Sequence, residues 1–94
     1  LAITKHTKDF IVSLIEYYTS EASSYRQIAQ SYSPEITSVE DAAFGIITGC
    51  IYSAFLRAYE NENKTVELDD IQEFNAILKE KALDIKNAIK KTPE

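Results

Sequence analysis

The sequence predicts an all-α domain, an antiparallel bundle of three long helices that pairs with a second copy into a larger helical bundle. Three observations predict it. Apolar residues recur at helical spacing along three long stretches. Only two short polar segments carry turn chemistry, one around Pro34 and one around Asn61 and Asn63. Two Gly and two Pro among 94 residues leave little material for further turns, so the elements are few and long. A single domain over residues 1–94 is expected, with helices at about 7–32, 38–60 and 66–91.

In the first stretch Ile11, Ile15, Tyr18, Ala22, Tyr25, Ala29 and Tyr32 alternate at spacings of four and three, a heptad seam. Leu14, Tyr17 and Ile28 widen it into a core-facing arc. The mediocre helix formers between Thr19 and Ser24 mark a place where the helix bends. Pro34 ends this element, because the residue before a proline is pushed out of the α region. Thr37 and Glu40 then match a capping box, placing the next start at about Ser38. Asn61 and Asn63 can take the left-handed conformation that closes a helix. In the last stretch Leu68, Ile71, Phe74, Leu78, Ala82, Ile85 and Ile89 form the seam. Its acids come first and its lysines last, matching the helix dipole, and Pro93 stops it.

The middle helix is the informative one. Between Asp41 and Arg57 lie 15 uncharged residues, fewer than the roughly 18 of a membrane span, so a buried core helix is expected and no membrane partner. At 100° per residue it separates into two arcs. One holds Ala43, Phe44, Ile47, Cys50, Ile51, Ala54, Phe55 and Ala58, the core face. The other holds Ala42, Gly45, Gly49 and Ser53, bordered by Ile46, Tyr52 and Leu56. Each glycine inside a helix costs about 1 kcal/mol relative to alanine, so the narrow strip must serve a close approach. Packing against another helix of the same chain is its plainest use, a second subunit the next, and a ligand slot the last. The apolar excess of this helix points to the second subunit, in an isologous dimer with its two-fold near Gly49.

Composition removes several function classes. A net charge of −5 leaves no clustered basic surface for a nucleic-acid backbone. The one cysteine, Cys50, has no disulfide partner in its chain and suits a reducing, cytoplasmic setting. Leu1 to Lys5 lacks the pattern of a secretory leader. Neither a Glu-x-x-His pair nor a Gly-rich phosphate loop occurs, and no cofactor is expected. Cys50 on an apolar face reads as an inert buried thiol, and His6 sits near a chain end.

Two constellations remain. Tyr18, Tyr25 and Tyr32 repeat every seven residues, as do Tyr52 and Tyr59, which suits half-buried rings in a core or at an interface. Residues 60–73 carry six acids against Lys64 alone. A solvated, dipole-favoured first turn explains most of that cluster; its active reading is a dock for a basic protein partner or a divalent cation, with Glu67, Asp70 and Glu73 as weak metal candidates. A pyrophosphohydrolase-like site would need acids from another helix, and Glu16 and Glu21 do not share a face. Arg57 continues the Gly45, Gly49, Ser53 row and is a candidate anion contact.

The expectation is therefore a self-associating interaction or assembly module, a homodimer using Gly45, Gly49 and Ser53 with Tyr18, Tyr25 and Tyr52 as aromatic contacts. The alternatives are a small metal-dependent hydrolase built on the acidic cluster, or a small-molecule regulator with its pocket beside Gly49. Enzymatic activity is the lesser reading.

Overall fold

Four helices form where three were expected. The computed structural model describes residues 3–91, with α1 at Lys5–Ser20, α2 at Ala22–Gln30, α3 at Val39–Asn61 and α4 at Leu68–Lys91. No strand occurs among the described residues. Pro93, expected to stop the last helix, lies outside them.

The first stretch is two helices, broken at the predicted weak point, where a serine hydroxyl bonds to the backbone. Ser20 Oγ donates to the Tyr17 carbonyl at 2.6 Å, and the Glu21 amide is shared between the carbonyls of Tyr17 and Tyr18 at 3.2 and 3.1 Å. Glu21 leaves the helical region at φ −104, ψ 19. The start comes earlier than expected because Thr4 caps it, its side chain accepting from the Thr7 amide at 3.2 Å. The end comes earlier too. Tyr32 and Ser33 donate three residues back, to Ala29 and Gln30, so the chain tightens into turns and Tyr32 points into solvent, 58% exposed, instead of completing the seam.

The cap of α3 is shifted by one residue from the expected box. Ser38, not Thr37, accepts the Asp41 amide at 3.1 Å. This register leaves Asp41 to pair with Lys86 and puts Glu40 3.7 Å from Arg26. At the other end Asn63 takes φ 57, as its residue type predicted. Its amide reaches the Glu60 carbonyl at 3.0 Å and the Lys64 amide reaches Tyr59 at 2.9 Å, the bonding pattern of a Schellman cap. Lys64 Nζ lies over the Tyr59 ring, 5.8 Å from its centre. α4 then opens on the Glu67 amide, which donates to Asp70 Oδ2 at 2.8 Å.

α3 is the element about which the others pack: α1, α2 and α4 all lie against it, and α1 and α2 also meet α4. Its buried residues fall at a strict spacing of four: Ala43, Ile47, Ile51, Phe55 and Tyr59. Opposite them stand Ile11, Ile15, Ala22 and Ala29 from α1 and α2, and Phe74, Ile77, Leu78, Ile85 and Ile89 from α4. The rings of Phe55 and Phe74 stack 4.6 Å apart at 21°. Leu68, expected in the seam, is 68% exposed because it stands in the first turn of α4; Ile77 is buried instead. The molecule is 40 Å long and 22 by 19 Å across.

The left-handed backbone at Asn63 is the one position where residue type constrains the turn. Asn63→Val is expected to destabilise the fold by about 1–2 kcal/mol and Asn63→Gly to leave it unchanged or slightly firmer. Urea unfolding followed by helical circular dichroism reads both; equal loss in the two variants would contradict the cap.

Candidate functional site on the outer face of α3

The spacing that buries one row of α3 exposes another. Asp41, Gly45, Gly49, Ser53 and Arg57 are all exposed, each about 6 Å further along the axis than the last. The expected packing of the glycine strip inside the chain is thus corrected: a Cβ added at Gly45 or Gly49 would meet nothing within 4 Å. α1, α2 and α4 crowd the far side of α3 and leave this row uncovered. α3 is a core helix on one side: Ala43, Ile47, Ile51 and Phe55 are buried, and most of the residues between them are half-buried. In its most apolar 18-residue window 22% of the residues are buried, and by length and composition alone the helix is long and apolar enough to cross a membrane.

Aromatic side chains stand on both flanks of the row. On the α4 side Tyr52 packs on Phe74, ring centres 5.5 Å apart, beside an open groove of about 420 Å³. Phe44, Gly45, Gly49, Phe74 and Leu78 line it, with Asn75 and Lys79 as polar rim. On the α1–α2 side Tyr18 and Tyr25 lie 5.5 Å apart, and Tyr18 stands beside the Cys50 thiol. Burial pushes the phenols of Tyr18 and Tyr25 above their ordinary values, with the Cys50 neighbour adding to the effect. Cys50 is half-buried instead of sealed in the core. Of the three tyrosines singled out in the sequence, Tyr52 lines the groove beside Gly45 and Gly49, while Tyr18 and Tyr25 stand together near Cys50.

The ends of the row carry opposite charges. Asp41 keeps a 70% exposed side chain although Lys86 binds one of its oxygens, which holds its carboxyl below the usual carboxylate range. Arg57 forms no ion pair among the described residues and projects near Tyr18 and Phe10. Asp41 was not among the residues singled out from sequence. The spacing of four before Gly45 signals it, although the same residue also bounds the uncharged run.

The acidic constellation does not converge. Glu67 is exposed and offers its amide to Asp70. Asp70 is buried, at 6% exposure, where it accepts from the Tyr59 hydroxyl. Glu73 receives the Ile3 amide at 3.0 Å, and Glu62 pairs with Lys64 at 2.9 Å. Among the described residues no group of three or more His, Cys, Asp or Glu side chains is placed to hold a metal ion. Asp70 closes the end of the bundle by joining the last turn of α3 to the first of α4.

Comparison with known proteins finds no match to a family model, a curated protein or a solved structure.

The Tyr59–Asp70 contact has a signature in alkali. Burial, then the bond to Asp70 and the nearby acids, push the Tyr59 phenol from 10.0 up to about 12. A raised phenol stabilises the fold fully below its unfolded value and loses that contribution as pH climbs to the folded one. Stability should therefore fall between pH 10 and about 12. Tyr59→Phe should lower stability at neutral pH by about 1 kcal/mol and flatten this alkaline fall, as followed by urea midpoints across that range.

Proposed function

We propose that this chain is a small helical interaction and assembly module that self-associates through the outer face of α3, the face carrying Gly45, Gly49 and Ser53. One observation carries the reading. Two glycines sit in mid-helix, each at a penalty of about 1 kcal/mol against alanine, and nothing among the described residues occupies the space they leave. A helix backbone from a second copy fits that space, because rows at spacing four interdigitate with like rows at a crossing angle of about 50°. Tyr18 and Tyr25 on one wall and Tyr52 on the other then supply ring surface on either side of the crossing. The homodimer completes the bundle by covering the fourth side of α3, and a reducing, cytoplasmic setting belongs to the same reading, since Cys50 needs no disulfide.

A second reading draws on the groove beside Gly49. Its volume of about 420 Å³ and apolar lining suit a small apolar ligand with one polar group at Asn75 or Lys79, which would make the chain a small-molecule regulator.

Alanine and leucine at position 49 separate assembly from folding. In a single chain Gly49→Ala should add up to about 1 kcal/mol of stability, because the new methyl enters open space and improves helix propensity. In the assembly it should weaken the dimer, and Gly49→Leu should abolish it with helicity intact. Light scattering after size exclusion at two concentrations reads the mass. A Gly49→Leu chain of unchanged dimer mass would reject this face as the interface.

A further inference from the structure

We infer that two copies of this chain meet across α3 in antiparallel register, with Gly49 on the two-fold axis and Asp41 of each copy paired with Arg57 of the partner subunit. The inference rests on the self-association proposed above and adds its direction and its contacts. The exposed row reads Asp41, Gly45, Gly49, Ser53, Arg57, with one residue at every fourth position. A two-fold axis through Gly49 brings Gly45 against the partner's Ser53, small on small, and closes both ends of the row with an acid facing a base. The parallel alternative sets Asp41 beside the partner's Asp41 and Arg57 beside the partner's Arg57, a like-charge contact at each end. The row is thus self-complementary in one direction only.

Charge elsewhere along the 40 Å molecule points the same way. The end of α3 that carries Arg57 leads into Glu60, Glu62, Glu67 and Asp69, while the end that carries Asp41 lies beside Lys86 and Lys90 of α4. Antiparallel copies lay the acidic end of one along the basic end of the other. Both pairing groups are also placed to serve. Asp41 accepts Lys86 and the Ser38 hydroxyl yet keeps its side chain 70% exposed, and a carboxylate with about four lone-pair sites still has room for a guanidinium from outside. Arg57 has no ion pair among the described residues to give up, and its planar fork suits a carboxylate. Arg57 thereby meets an anion, as its place in the row predicts, and that anion is a side chain of a second copy.

Directed cross-linking tests the register in a Cys50→Ser background, where the introduced thiols are the only ones. Chains bearing Gly45→Cys are mixed with chains bearing Ser53→Cys and oxidised in air, since a disulfide needs Cα atoms within about 7 Å. The expected product is the mixed 45–53 dimer in clear excess over either homodimer. A predominance of 45–45 and 53–53 products overturns the antiparallel register while leaving self-association standing. A strictly monomeric wild-type chain at hundred-micromolar concentration overturns both, and assigns the face to a different chain or to lipid. Charge exchange supplies the second reading: Arg57→Glu should weaken the dimer by about tenfold, two contacts being lost per pair of chains, and adding Asp41→Lys should restore it. Failure of the double variant to recover, in chains of normal helicity, would remove the Asp41–Arg57 contact.

Discussion

The rest of the structure depends on one constraint, the spacing of four at which α3 buries its side chains. Ala43, Ile47, Ile51, Phe55 and Tyr59 form the face on which α1, α2 and α4 converge. Because 3.6 residues make a turn, a row at spacing four advances about 40° around the helix at each step. The buried row therefore winds across the helix, and the neighbours that follow it cross α3 at an angle. The complementary row winds in the same sense and emerges on the open side. Placing the bulky residues in one row and Gly45, Gly49 and Ser53 in the other is a single choice of phase, and it determines at once where the core lies and which face stays bare.

The two ends of α3 are held by different physics, and both holds link it to α4. At its start Ser38 caps the first turn and Asp41 receives Lys86. At its end the Asn63 cap turns the chain, and the Tyr59 hydroxyl donates a hydrogen bond to Asp70 where water has little access. The Phe55–Phe74 stack lies one turn inside that closure. An acid cluster that invites a metal reading is thus occupied in joining two helices: a buried carboxylate requires partners, and Asp70 finds them in a phenol and a backbone amide.

Much of this was legible in the sequence. The all-helical class, both loops, the weak point between Thr19 and Ser24 and the left-handed Asn63 follow from propensity, capping and proline rules acting within a few residues. The two arcs of the middle helix were also legible, because helical phase needs no tertiary information. What periodicity does not contain is which arc a neighbour covers. Gly45 and Gly49 signal space for a close approach, and the same signal serves an internal helix or an external one; only the positions of α1, α2 and α4 show that no internal helix takes it. The caps shifted for a related reason: Thr37 and Ser38 offer equivalent hydroxyls, and long-range pairing of Asp41 with Lys86 and of Glu40 with Arg26 separates them.

Exposure of an apolar helix in a chain of 94 residues also bears on its stability. A domain of this size buries only around two-thirds of its unfolded surface, and here the most apolar helix contributes less burial than its composition allows. The glycines deepen the deficit, since each exposes backbone to water and lowers the stability of α3 on its own. Substitution by alanine would improve the isolated helix at no steric penalty, so the isolated fold supplies no reason for glycine at either place. In the proposed assembly the reason is a surface that arrives from outside and approaches closer than a Cβ permits. That makes the bareness of the row, more than any side chain on it, the feature from which an assembly role is argued.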